Sequence, residues 1–340
     1  MSGVESTARG RRPGGTDVAK LAGVSQKTVS RVFSGERYVG DEVRERVLAA
    51  ARELGYRPNR AARALKLERS NRIGVVSLGT ALYGPSTLLV ALERAARPTG
   101  YALSIVNTFE GDRGTIAGAV QSLLAEGVDA IVLAEPIDQR EDPIRADVPV
   151  LTIGRAPAVE APVVLTVNED EGSESANTVV EHLLGLGHRT VHHIAGPLRW
   201  YAAQERQRSW RQSLERAGAV VPPPVEGDWT PESGYRAGRD LAADPAVTAV
   251  FAANDDMAIG LMRALAEAGR RVPQDVSVVG FDDIPVAAYL TPGLTTVRPD
   301  NATVAVLGLN RLVEHLADPS APPAPVPATS YELIIRGSTA

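Results

Sequence analysis

The chain has 340 residues, more than one hydrophobic core usually organises, so two or three domains are expected. It has no cysteine and five scattered histidines, which excludes a disulfide framework and cysteine-based metal or nucleophile sites, and leaves no metal-ligand spacing. The net charge of −5 divides unevenly: residues 1–72 carry 16 Lys and Arg against 8 Asp and Glu, while the remainder carries 20 against 33. A basic head of that kind can neutralise phosphates, whereas an acidic body is repelled by them, so nucleic-acid contact is expected in the head alone. Met1–Gly15 lacks the apolar stretch of a secretion signal, and no run of about 18 apolar residues occurs, so a cytoplasmic protein without membrane contact is expected.

Residues 1–13 read as a disordered basic tail. From Thr16, a plausible N-cap, Val18, Leu21 and Ala22 follow helical spacing. Gly23-Val24-Ser25 then supplies a tight turn: Gly23 permits a positive φ, Val24 points inward, and Ser25 caps a second helix running through Phe33. Val29 and Val32 face the core of that helix, which leaves Gln26, Lys27, Thr28, Ser30 and Arg31 for DNA bases and phosphates. A third helix is predicted over Asp41–Leu54, with Val43, Val47, Ala50, Ala51 and Leu54 as its apolar stripe and Gly55 as its stop. Residues 14–57 thus form a helix-turn-helix domain. Residues 58–70 form a hinge and linker, in which Pro58 breaks the chain and Asn59 caps a basic, Ala-rich helix too short to be stable alone.

After Arg72, apolar strand-like runs alternate with helical ones: 73–76, 101–106, 130–133 and 150–153, then 191–195, 249–253 and 276–280. Helices are predicted near 172–186, 201–217, 230–243 and 255–268. This predicts two α/β lobes with parallel sheets, lobe 1 about 71–168 plus 299–325 and lobe 2 about 169–298 plus 326–340. In open α/β sheets ligands bind beyond the carboxyl ends of the strands. There the sequence places Asn254-Asp255-Asp256, Phe281-Asp282-Asp283 and, on the helix after Gly196-Pro197, Arg206. An Asp carboxylate, an Asn amide and an Arg fork can each grip neighbouring sugar hydroxyls, and an indole such as Trp229 can cover the apolar sugar face. The same residues also admit a plain reading: Asn254 and Asp255 as helix caps, Asp282 as a turn residue, Arg206 as a surface charge and Trp229 as core. Asp255-Asp256 and Asp282-Asp283 have no nucleophile, phosphate loop or metal motif beside them, so no enzyme and no cofactor is expected.

Asp17-Val18-Ala19, Ala22-Gly23-Val24-Ser25, Thr28-Val29-Ser30-Arg31-Val32 and Tyr56-Arg57-Pro58-Asn59 resemble the LacI/GalR family signature. Gly185-Leu186-Gly187-His188-Arg189, Gly227-Asp228-Trp229, Ala253-Asn254-Asp255-Asp256 and Val278-Val279-Gly280-Phe281-Asp282-Asp283 resemble its effector core. The resemblance implies an all-α helix-turn-helix head on a periplasmic-binding-protein-like α/β core of two parallel-sheet lobes. It further implies a homodimer on near-palindromic operator DNA, released by a sugar inducer bound between the lobes. It implies DNA contacts from Thr16, Ser25, Gln26, Lys27, Thr28, Ser30 and Arg31, and from hinge residues Asn59, Ala62 and Leu65, with Leu65 wedged into a base step. For the effector it implies Arg206, Trp229, Asn254 and Asp282, with Leu78, Leu82, Leu88 and Val167 on the first-lobe wall and a galactoside-like sugar as the ligand class. The chain departs from the family pattern at Leu78, where a sugar-contacting serine is expected, at Gly154-Arg155, where an aspartate is expected, and at Val167, which replaces an aromatic. Two rivals remain: a regulator whose purine-like corepressor tightens DNA binding, and a sugar-binding protein with no DNA function.

Overall fold

A computed structural model describes residues 13–33, 38–56, 69–78, 81–108, 116–134, 143–168, 171–322, 327 and 331–340. The chain divides into two compact units, Met1–Ser70 and Asn71–Ala340. No described helix is long and apolar enough to cross a membrane.

The first unit contains α1 (Gly15–Ala22), α2 (Gln26–Phe33) and α3 (Asp41–Glu53). Val18, Ala19, Ala22, Val29, Val32, Val47, Ala50 and Ala51 close one small core, with Val24 and Leu54 packed at its edge. Gly23 takes φ 66°, the left-handed conformation that ends α1 after one residue, and the Thr28 amide donates to Ser25 Oγ at 3.1 Å to start α2. Two expectations for α1 need correction. Its cap is Gly14, whose amide donates to Asp17 Oδ2 at 2.7 Å, so Thr16 lies inside the first turn and is exposed. Leu21 is 46% exposed, because Val18, Ala19 and Ala22 already fill the narrow face that an eight-residue helix turns to the core. The hinge residues Asn59, Ala62 and Leu65, and most of the tail, lie outside the described residues.

The second unit carries two sheets. In the first lobe β1 (Arg72–Leu78), β2 (Ala102–Thr108), β3 (Ala130–Ala134), β5 (Val150–Ile153) and β7 (Val164–Val167) pair in parallel, in the order β2-β1-β3-β5-β7. A separate short ladder joins β4 (Ile144–Arg145) to β6 (Val159–Glu160). Every residue of β3 is buried, as a central parallel strand covered on both faces requires. One face packs against α4 (Tyr83–Ala96) and α10 (Asn301–Ala317), the other against α5 (Ile116–Ala125).

The second lobe repeats the plan. Its sheet runs β13-β12-β11-β10-β8-β9, built from β8 (His192–Ala195), β9 (Val225–Glu226), β10 (Ala249–Ala252), β11 (Ser277–Phe281), β12 (Thr295–Pro299) and an antiparallel edge strand β13 (Tyr331–Ile334). Helices α6 (Glu171–Gly185), α7 (Tyr201–Arg216), α8 (Pro231–Ala243) and α9 (Asp255–Glu267) cover it. In each sheet the strand order reverses once, beside β1 in the first lobe and beside β8 in the second. The carboxyl ends of β1, β3, β8 and β10 therefore mark the two places where an open α/β sheet receives ligands. One buried apolar cluster continues from Val76, Val120 and Leu133 of the first lobe to Ile194, Trp229 and Met257 of the second.

Candidate functional site

The face of α2 expected to meet DNA is polar. Ser25, Gln26, Lys27, Ser30 and Arg31 are exposed and Thr28 is half-buried, while Val29 and Val32 anchor the opposite face. Ser25 and Thr28 share a hydroxyl contact at 2.9 Å in addition to the cap, so this pair sets the start of the helix before any ligand arrives.

In the second lobe the strand ends bring Arg206, Trp229, Asn254 and Asp282 into one neighbourhood. Arg206, on α7, donates from Nη1 to the Ala253 carbonyl at 2.7 Å, and its guanidinium carbon lies 3.5 Å from the Phe281 ring centroid and 5.8 Å from that of Trp229. Among the described residues no carboxylate forms an ion pair with it, although it is only 8% exposed. Asn254 caps α9 by accepting from the Met257 amide at 2.9 Å and donates from Nδ2 to the Trp229 carbonyl at 3.0 Å. The plain reading of Asn254 as a helix cap is therefore correct, and the same side chain also fixes Trp229. Asp282 follows Phe281 directly and stands at φ 104°, a left-handed conformation costly for a side-chain-bearing residue.

Trp229 is 5% exposed at φ 70°, and its indole nitrogen is buried with no hydrogen-bond partner. Trp200 meets it edge-on at 5.9 Å between centroids. The indole rests on Gly196, where a Cβ would stand 2.2 Å from the ring. Gly196→Ala is therefore expected to displace the indole. The measurable result is a shift in tryptophan emission and loss of ligand-induced thermal stabilisation, with operator binding retained.

Behind Asp282 sits a wholly buried carboxylate, Asp255. It accepts from Thr296 Oγ1 at 2.6 Å and from the Ile284 amide at 2.8 Å, tying α9 to the loop that carries Asp282. Burial pushes its carboxyl up to about 8, against the Thr296 hydrogen bond and helped by the charge of Asp282. Asp283 goes the other way: burial opposes its ionisation, but hydrogen bonds from Arg336 and Arg298 outweigh it and hold the carboxyl below its usual range. For Asp255 the raised folded value means that its stabilising contribution is complete below the unfolded value of about 4 and is lost as pH rises towards about 8. Denaturation of the parent and of Asp255→Asn across that window should show the parent losing stability relative to the variant as pH rises.

The first-lobe wall differs from expectation. Leu88 and Val167, each 2% exposed, are enclosed in the first-lobe core with Ile73, Leu92 and Leu309, because α10 packs over both. Leu82 precedes α4 and is half-buried, and the Leu78 side chain lies outside the described residues. A cavity of about 730 Å³ opens between α4 and α10, lined by Tyr83, Thr87, Asp282, Arg298, Pro299 and Asn301 among others. It reaches Asp282 but not Arg206, Trp229 or Asn254, so the four second-lobe residues do not share one open chamber in this arrangement. This groove between two helices has none of the buried polar convergence found around Arg206, Trp229 and Asn254. Sequence reasoning missed Trp200, Tyr83 and Arg298, and the only signal available for Trp200 was its place four residues after Gly196.

Residues 16–59 match the family described as bacterial regulatory proteins, lacI family, and residues 180–339 match a periplasmic binding protein-like domain. The lactose operon repressor of Escherichia coli (strain K12) is 34% identical over 303 residues, covering 88% of this chain and 83% of that protein. This chain belongs to the lacI family. The ribose operon repressor of the same organism is 33% identical over 313 residues, 89% of this chain and 93% of that one. Among solved structures, the lac repressor dimer bound to operator and the anti-inducer ONPF superposes with a TM-score of 0.79 at 29% identity, covering 97% of this chain and 99% of that chain. This lacI-family member is accordingly a DNA-binding transcriptional repressor with a ligand-binding domain, and its helical head and parallel-sheet core match the lac repressor fold.

Proposed function

We propose that the protein represses sugar-utilisation genes and leaves its operator when a sugar, of the galactoside type, binds between the lobes against Arg206, Trp229, Asn254 and Asp282. The observation that carries the reading is the pairing, among the described residues, of a buried guanidinium without a carboxylate partner and a buried indole N–H without a hydrogen-bond partner. An unsatisfied buried donor such as the indole N–H costs roughly 1–3 kcal/mol, and a polyhydroxylated ligand supplies it an acceptor, lies within reach of the remaining guanidinium N–H groups of Arg206, and presents its apolar face to the indole. Among the relatives the lactose and ribose operon repressors favour a sugar ligand, and the PurR repressors, at 30–31% identity, are the ground for keeping a corepressor as an outcome of the test. The protein acts in the cytoplasm as a homodimer without cofactor or catalysis. Two copies of α2 read the half-sites through Gln26, Lys27, Thr28, Ser30 and Arg31, with Thr16, Ser25 and the hinge residues Asn59, Ala62 and Leu65 beside them. Sugar binding reorients the lobes and withdraws support from the hinge, and a coupling of about 1–3 kcal/mol changes operator affinity roughly 5–150-fold.

A thermal-shift screen of the purified protein against mono- and disaccharides names the ligand, since specific binding raises the melting temperature by mass action. A gel-shift titration with the hit then decides the sign. Release of operator supports induction, whereas tighter binding overturns it in favour of a corepressor.

A further inference from the structure

The two lobes are joined across the crevice by an ion pair that lies outside the residues assigned to the effector. Arg155, just after β5 in the first lobe, places Nη1 3.4 Å from Oε1 of Glu205 on α7 of the second lobe. The Arg155 guanidinium also sits 5.5 Å from the centroid of the Tyr201 ring, one turn earlier on the same helix. The Glu205 side chain is 4% exposed, and its other oxygen is bound by Arg208.

The two arginines have different consequences for motion. Arg208 is three residues from Glu205 on one helix, so it accompanies the carboxylate wherever the second lobe goes. Arg155 reaches it only while the lobes stand as they do here. We propose that Arg155 and Glu205 form a latch that holds the lobes in this arrangement. Separating them strips a nearly buried carboxylate of one of its two cations, which is strongly unfavourable, and also removes the cation–π contact with Tyr201. Glu205 precedes Arg206 in sequence, so the latch and the effector grip share one turn of α7. A ligand on Arg206 that prefers the same arrangement binds more tightly because the latch has already populated it. Only this last consequence rests on the effector reading above.

The test needs no effector. The chain has no native cysteine. Spin labels on Ser122→Cys (α5) and Asp240→Cys (α8), both exposed, therefore report a distance between the lobes by pulsed dipolar spectroscopy, with labelled subunits diluted among unlabelled ones. Arg155→Ala is expected to move the distribution to longer distances, and Arg155→Glu, which sets a carboxylate against Glu205, to move it further. Because Arg155 is half exposed, raising the salt of the parent to about 1 M should shift it towards the Arg155→Ala distribution. If both variants keep the circular dichroism of the parent and its distance distribution, the latch is refuted. The sugar reading fails separately, in the thermal-shift and gel-shift titrations.

Discussion

Asp282→Ala gives a repressor that binds operator normally and stays on it when the effector is added, and Arg206→Ala does the same. In the proposed site each residue offers a charged group to the ligand, and the loss of a hydrogen bond to a charged group costs about 1.5–3 kcal/mol, or roughly 10–150-fold in effector affinity. Operator affinity should hold within about threefold, because both residues belong to the unit 71–340 whereas the face proposed to read DNA belongs to the unit 1–70. Asp282 stands at φ 104°, which alanine tolerates poorly, so Asp282→Asn is the matched control: asparagine accepts positive φ about as well as aspartate and still removes the charge. Gel shifts with and without effector, together with thermal shift, separate the outcomes. Normal release by both alanine variants would remove these residues from the site, and loss of operator binding by both would show that the head and core are more tightly interdependent than their separate apolar cores indicate.

What could be read from the sequence was local. Gly23 with Ser25 three residues before Thr28, the i, i+3 pair Val29 and Val32, and the strand runs followed by Asn254 and Asp282 each carry their signal within a few residues, and the structure places them where the periodicity puts them. The misses are of two kinds. Thr16 is not the cap of α1 because Gly14 and Asp17 make a cap that does not need a hydroxyl, and Leu21 stays outside because the core face of α1 is already full. Leu88, Val167, Trp200, Arg155 and Glu205 depend on contacts between distant parts of the chain. Nothing near Val167 announces that α10, about 140 residues later, will cover it, and no local pattern links Arg155 to a carboxylate 50 residues away.

The α2 surface yields the second large effect. Lys27→Ala and Arg31→Ala are each expected to weaken operator binding by about 1–3 kcal/mol while leaving effector affinity unchanged. Both side chains are exposed and the core of the head rests on Val18, Val29 and Val47, so helix content and melting temperature should stay at the parent values. Salt separates the two kinds of contact. A residue that neutralises a phosphate releases a counterion, so its removal lowers the slope of log affinity against log salt by about 1 and weakens all sequences alike. A residue that reads a base edge changes the preference at one position and leaves the slope nearly untouched. Lys27 stands at the second position of the helix and Arg31 one turn further along, and the expectation to be tested is that Lys27 reads a base edge and Arg31 a phosphate. Arg31→Ala should therefore flatten the salt dependence, and Lys27→Ala should relax selectivity against operators altered at single positions. Parent affinity, slope and selectivity in both variants would take α2 off the DNA and leave the basic head without its reading helix.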